Sequence, residues 1–286
     1  MIRHLVRMGA AILLIIRCML LPFFPGAYDG LAVTLSVMSQ LFGMVGLLLV
    51  PLGAIWLVHD LRRHATKAGA RPPQDLGYWL ALASIGASTI VAAVVSLSAF
   101  VNVGFSLGFG LIALWTYCLV RLVAKVRATG RMQVRPISSV PVYLVVLPVV
   151  AAIFRIAVVD SASEFSRNRA IANSAPLIND IERYREGHGH YPQSLLSVWK
   201  DYKPSVIGVS QYHYEPNGDA YNLYFEHLSG ALGTREFVMY NRRDEHEMTS
   251  HAMDLLLLAP RDLDARRGYY AVHNASRPHW KRFLFD

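Results

Sequence analysis

Five long apolar runs, joined by short connections whose Lys and Arg residues all lie on alternate turns of the path, constrain this 286-residue chain most. A helix needs about 20 largely apolar residues to cross a hydrocarbon layer about 30 Å thick. Segments 8–24, 31–58, 77–99, 103–120 and 140–159 are read as such spans, the first and fourth being the shortest. With five spans, Arg3, Arg7, Arg62, Arg63, Lys67, Arg71, Arg121, Lys125, Arg127, Arg131 and Arg135 share one side. The opposite connections, around Asp29 and Asn102, contain no Lys or Arg. Cationic side chains resist transfer across a membrane, so this asymmetry predicts a cytoplasmic N-terminus and a periplasmic C-terminal region.

Composition divides the chain at the same place. Residues 1–159 hold 13 Lys plus Arg against three acids, a balance of +10, and residues 160–286 hold 15 against 17, a balance of −2. The net charge of +8 is therefore carried by membrane-flanking cations, and the mixed signs after residue 160 predict no nucleic-acid partner. The two cysteines, Cys18 and Cys118, both lie in apolar runs, so no disulfide framework is available. Arg17 interrupts the first apolar run and no small-residue cleavage site follows, which favours an uncleaved anchor over a signal peptide.

Beyond residue 159 the periodicity changes. Ile171, Ala175, Ile178, Ile181 and Tyr184 recur at helical spacing, with Pro176 in a first turn, Ser174 as the expected N-cap and Gly187 and Gly189 as terminators. A short helix is predicted from Ser194 to about Lys200. Tyr212 and Tyr214 then alternate with His213 and Glu215, Pro216 to Asp219 supply turn residues, and Tyr221, Leu223 and Phe225 resume the alternation, predicting a β-hairpin. Further strands are expected at 236–240, 268–273 and 280–285. The fold class is thus a membrane all-α bundle of about five transmembrane helices (1–159), followed by an α+β domain with a long N-terminal helix packed on an antiparallel sheet (160–286).

Across residues of about 140–228 a membrane helix leads into an amphipathic helix, followed by Tyr184, Gly189, Tyr191, Pro192, Ser194 and Leu195 and then by antiparallel strands. This arrangement resembles the globular part of type II secretion pseudopilins and type IV pilins. The resemblance implies a bacterial envelope protein whose α+β domain makes protein contacts.

Motifs for chemistry are sparse. His246, Glu247 and His251 approach a zinc-protease pattern, but five-residue spacing turns the two imidazoles about 140° apart on a helix. No nucleophile elbow or phosphate-binding glycine loop is present; the run Gly208 to Tyr212 lacks the closing glycine of an elbow. Asp219, Glu226 and Glu236 read as strand-end and surface acids. The residues singled out for function are Arg17 and Arg155 within spans, His188 and His190 at a helix end, Tyr191 and Pro192 at the chain reversal, and His213 and Glu215 on the wet face of a strand. No catalytic residue, metal site or cofactor is assigned. The expected protein is a non-enzymatic inner-membrane protein presenting a periplasmic interaction domain to envelope partners, in assembly or secretion. The alternative is a transport or sensing protein with an extracytoplasmic ligand-sensing domain.

Overall fold

The computed structural model describes residues 2–65, 74–103, 105–129, 139–198, 200–229, 234–246 and 270–285. The chain is mostly helical, with several long apolar helices and a separate antiparallel sheet near the C-terminus. It divides into two compact units, one of Met1–Met19 with Thr34–Val158, the other of Leu20–Val33 with Val159–Asp286. Residues 20–33, which the sequence reading grouped with residues 1–159, pack with the C-terminal unit.

The first unit is built from α1 (Ile2–Leu20) up to Met19, α2 (Gly30–Val45) from Thr34 onward, α3 (Val50–Ala65), α4 (Gln74–Val103), α5 (Phe105–Thr129) and α6 (Val140–Phe154). A 3-10 segment, Gly46–Leu49, joins α2 to α3. There Pro51 lacks the N–H that would continue the ladder back to Leu47. Leu14, Trp79, Ile90, Leu97 and Leu114 are exposed, a surface suited to lipid rather than water. Among the described residues four helical stretches are long and apolar enough to cross a membrane: Ile2–Phe23, Gly30–Arg62, Leu76–Phe100 and Val140–His188. That count is one fewer than the five read from sequence. The fourth expected span survives as the shorter apolar stretch Gly108–Ala124 of α5, bounded at its C-terminal end by Lys125 and Arg127.

Glycines bring helices of this unit into contact. A Cβ on Gly43 would lie 3.1 Å from the Ala151 backbone, one on Gly46 3.2 Å from Pro148, and one on Gly53 2.8 Å from the Val145 side chain and 3.0 Å from the Pro141 carbonyl. The α2–α3 segment therefore approaches α6 along one stripe. Gly108 lies against the Phe100 ring, a packing contact between α5 and α4, while Gly104 lies outside the described residues. A hydrogen bond from Ser36 Oγ to Met19 O, 2.6 Å, ties α2 to α1.

In the second unit, α7 (Asp160–Asn173) and α8 (Ala175–His188) are separated at Ser174, which precedes Pro176. Ser174 does not cap α8 as expected. Its backbone is helical, and its hydroxyl donates instead to Ile171 O at 2.7 Å. Gly189 ends α8 at φ +76°, and a 3-10 turn at Leu195–Val198 stands where a short helix was expected. Five antiparallel strands follow: β1 (His213–Asn217), β2 (Ala220–Leu228), β3 (Arg235–Tyr240), β4 (Tyr270–Asn274) and β5 (Trp280–Phe285), in the order β1-β2-β3-β5-β4. Asn217 pairs with Ala220, leaving Gly218 and Asp219 as a two-residue hairpin turn with Gly218 at φ +53°.

Ala170, Ile171, Leu177 and Ile181 line one helical face and pack on Tyr221, Leu223, Phe225, Val238 and Trp280 from the sheet. Each such large side chain contributes about 1.5–3 kcal/mol on burial. In the first unit the close glycine stripe gives a direct check. Gly53→Leu forces overpacking against Pro141 and Val145 and is expected to destabilise by about 1–3 kcal/mol. Gly86→Leu, whose added Cβ meets nothing within 4 Å, is expected to leave the thermal midpoint of the detergent-purified protein unchanged.

Candidate functional site

Continuing the β2 alternation two residues past Phe225 puts His227 on the same face as the core. Pairing brings Glu236 of β3 directly opposite it, and α7 offers Ser163, Ser166 and Arg167 at helical spacing along the face that carries Ala170. Ser166, His227 and Glu236 are at most 4% exposed. Ser166 Oγ lies 2.6 Å from His227 Nε2, and His227 Nδ1 lies 3.0 Å from Glu236 Oε2. Arg167 Nε donates to Glu236 Oε1 at 2.7 Å and its Nη2 to Oε2 at 3.3 Å. Arg282 Nε stands 3.4 Å from Glu236 Oε1.

The partners fix the protonation pattern. An ionised carboxylate only accepts, so Nδ1–H of His227 donates to Glu236, and Nε2 is left to accept the Ser166 hydroxyl proton. Burial is the largest influence on His227 and lowers its pKa below the ordinary value of about 6.5, against the pull of Glu236. Burial alone would raise Glu236, but the hydrogen bond from His227 and the Arg167 guanidinium outweigh it and hold the carboxyl below the usual range.

Serine, histidine and glutamate are thus linked in the order of a hydrolase triad. The surroundings differ from one. Ser166 lies inside α7, where the flanking N–H groups belong to the helical ladder rather than to an oxyanion cradle. Its hydroxyl is also within 3.0 Å of Ser163 O, a second acceptor for the same proton. Phe23 is 2% exposed, with its ring 6.4 Å from that of His227. What this arrangement does chemically is neutralise a buried carboxylate and lock α7 to β2 and β3; Ser163 Oγ adds a bond to Leu228 O at 3.3 Å. Glu236 is therefore not the surface acid read from sequence, whereas Glu226 is exposed beside Arg235 at 3.1 Å and Asp219 is 3.8 Å from Arg243.

A second feature joins the two parts of this unit. The segment 22–29 pairs with 205–208 through Gly26 N to Ser205 O (3.1 Å), Ile207 N to Phe24 O (3.0 Å), Gly208 N to Pro22 O (2.7 Å) and Asp29 N to Ile207 O (3.0 Å). Pro25 and Val206 form an antiparallel bridge between them. A Cβ on Gly208 would stand 2.8 Å from Pro22 O, so this approach needs glycine. Asp29 also caps α2, its Oδ1 accepting from Leu31 N at 2.9 Å and Ala32 N at 3.3 Å.

The residues singled out from sequence are dispersed. Arg17 is exposed in the last turn of α1, and Arg155 begins the π-helical segment Arg155–Val159 after α6. His188 and His190 are exposed, their Nδ1 atoms each 2.9 Å from a backbone carbonyl oxygen, of Tyr184 and Tyr191 respectively. Tyr191 is buried, donates to Glu182 at 3.4 Å and accepts from Arg185 at 3.0 Å; Pro192 O accepts from Tyr214 at 2.7 Å. Those contacts pin the chain reversal to α8 and β1. His213 stacks on Tyr224, ring centroids 5.0 Å apart, and Glu215 accepts from the Tyr224 hydroxyl at 3.2 Å. Burial lowers the pKa of His213. Glu247 and His251 lie outside the described residues; His246 is buried, with Nε2 3.2 Å from His279 O. Among the described residues no three His, Cys, Asp or Glu side chains are grouped to hold a metal ion. No family model, curated protein or solved structure matches the chain.

Sequence reasoning missed the buried cluster, although the extended β2 alternation was its available signal. Glu236→Ala, which strips the buried Arg167 guanidinium and the half-buried Arg282 of their carboxylate, is expected to destabilise by about 3–5 kcal/mol, measured by near-ultraviolet circular dichroism of the detergent-purified chain. Two effects set its pH response. For His227 the unfolded chain takes up a proton first as pH falls, so stability drops from about pH 6.5 downward. The contribution of Glu236 holds above the ordinary glutamate range and is lost as pH falls through its lower folded value. A His227→Gln variant should show a flatter loss of thermal midpoint between about pH 7 and pH 5, and an unchanged slope would contradict this assignment.

Proposed function

We propose that this is a non-enzymatic envelope protein, a five-span inner-membrane anchor presenting a pilin-like extracytoplasmic domain to protein partners. The observation that carries the reading is the hydrogen-bonded seam between residues 22–29 and 205–208. Segments joined in this way share one side of a membrane, so the chain between them crosses an even number of times. The α2–α3 segment, α4 and the helical stretch from Val140 supply three crossings, and α5 supplies the fourth. At 25 residues α5 is about 37 Å long, enough for a layer about 30 Å thick despite its shorter apolar part. Parity and the one-sided distribution of Lys and Arg therefore support the same topology, N-terminus inside and domain outside.

The reading as an interaction domain rests on what the unit contains. Its polar cluster is sealed and internally neutralised, and Arg17 and Arg155, the residues a transport mechanism would use, lie at helix ends, in the last turn of α1 and at the C-terminal boundary of α6. The order of elements supports the pilin likeness: a helix running on from an apolar stretch, a reversal pinned by Tyr191 and Pro192, then an antiparallel sheet that begins with the β1–β2 hairpin.

Two measurements test this. Pro25 and Val206 are opposed as a non-hydrogen-bonded antiparallel pair, for which Cα atoms stand about 4.5 Å apart, so Pro25→Cys with Val206→Cys should form a disulfide in intact cells. Failure to cross-link under oxidising conditions would oppose the topology. Proximity labelling from a C-terminal fusion should recover a recurrent set of extracytoplasmic envelope proteins, and recovery of cytosolic proteins alone would sink the functional reading.

A further inference from the structure

The α3 residues Ile55, Val58, His59 and Arg62 follow the i, i+3, i+4, i+7 pattern and share one face. With Ala54 and Leu76 they line a cleft of about 470 Å³ within the membrane unit, within the range of about 300–1,000 Å³ typical of ligand sites. Its walls are apolar except at one end. There His59 is only 8% exposed, and both of its ring nitrogens are buried without a hydrogen-bond partner among the described residues. The Asp60 carboxylate is 3.4 Å from His59 Nδ1, an electrostatic contact, and Asp60 is not one of the lining residues. A buried imidazole lacking a hydrogen bond loses stability unless something supplies one.

The cleft has a chemical direction. Along α3 its lining passes from Ala54 and Ile55 through Val58 to His59 and then Arg62, apolar to basic over about 12 Å of helix. In the topology proposed above, the basic end faces the cytosol. A phospholipid has the same order from acyl chain to phosphate. We propose that this cleft holds one phospholipid, with its phosphate oxygens accepting hydrogen bonds from His59 and Arg62 and an acyl chain along Ile55, Val58 and Leu76. Guanidinium and imidazole N–H groups are suited to phosphate, and the apolar wall selects a lipid over a free anion.

This proposal rests on the membrane reading, and its test separates the two. Full-length protein purified in mild detergent is titrated with phosphatidylglycerol and, separately, with inorganic phosphate, and bound species are counted by native mass spectrometry. The wild type should retain one phospholipid in a saturable manner and bind no inorganic phosphate. His59→Ala with Arg62→Ala should weaken that binding at least about tenfold, the loss of roughly one charge-assisted hydrogen bond or more. Ile55→Trp obstructs the apolar half from a partly exposed position, leaves both cationic groups in place, and should weaken binding as well; it carries the test if the double variant misfolds. Unchanged phospholipid affinity in the folded variants, or equal competition by inorganic phosphate, overturns the proposal. Retention in membranes after alkaline carbonate is measured on the membrane fraction from which the protein is purified, before detergent is added. Release of the wild type would overturn the membrane reading and the lipid site together, whereas retention with unaltered binding overturns the lipid site alone.

Discussion

Four backbone hydrogen bonds between residues 22–29 and 205–208 organise the rest of this molecule, because they join segments about 180 positions apart into one folded unit. Closing so long a loop is entropically unfavourable, yet the penalty grows only slowly with length, and local packing offsets it. Phe23 is buried beside His227, Gly208 lets the chains approach, and Asp29 ends the seam by capping α2. The seam also supplies partners for backbone groups that would otherwise be left unpaired in a short connection.

The buried ionic cluster complements this seam. Bringing Glu236, Arg167 and His227 out of water is costly, and the attraction among them repays it only when geometry and hydrogen bonding are nearly complete. Here the carboxylate receives bonds from an imidazole and a bidentate guanidinium, with a second guanidinium close by. The bonds from Arg167 on α7 and His227 on β2 to the single Glu236 carboxylate on β3 tie α7 to the sheet in this register.

Much of the architecture was legible in the residues. Period-two alternation marked β1 and β2, although the turn is only Gly218 and Asp219, with Pro216 and Asn217 paired in β1, and helical spacing marked the core face of α7 and α8. Apolar length located the long helices, since backbone groups in hydrocarbon must bond within their own segment. What escaped was non-local. Asp29 and Gly26 gave no sign that they pair with residues near 206, because a single antiparallel bridge leaves no periodicity. Glu236 was misread since β3 is buried over most of its length, so alternation there does not separate wet from dry. Ser174 had the right chemistry for an N-cap but the wrong backbone, its hydroxyl being captured by Ile171 O.

The central claim is that the connection after α1 and the terminal sheet occupy one side of the membrane. Single cysteines at the exposed positions Ala27 and Ser276, in a background with Cys18 and Cys118 replaced by serine, test it through a membrane-impermeant maleimide. Both should be modified in cells with a permeabilised outer membrane and an intact inner one. Modification of one at once and of the other only after the inner membrane is opened would contradict the account.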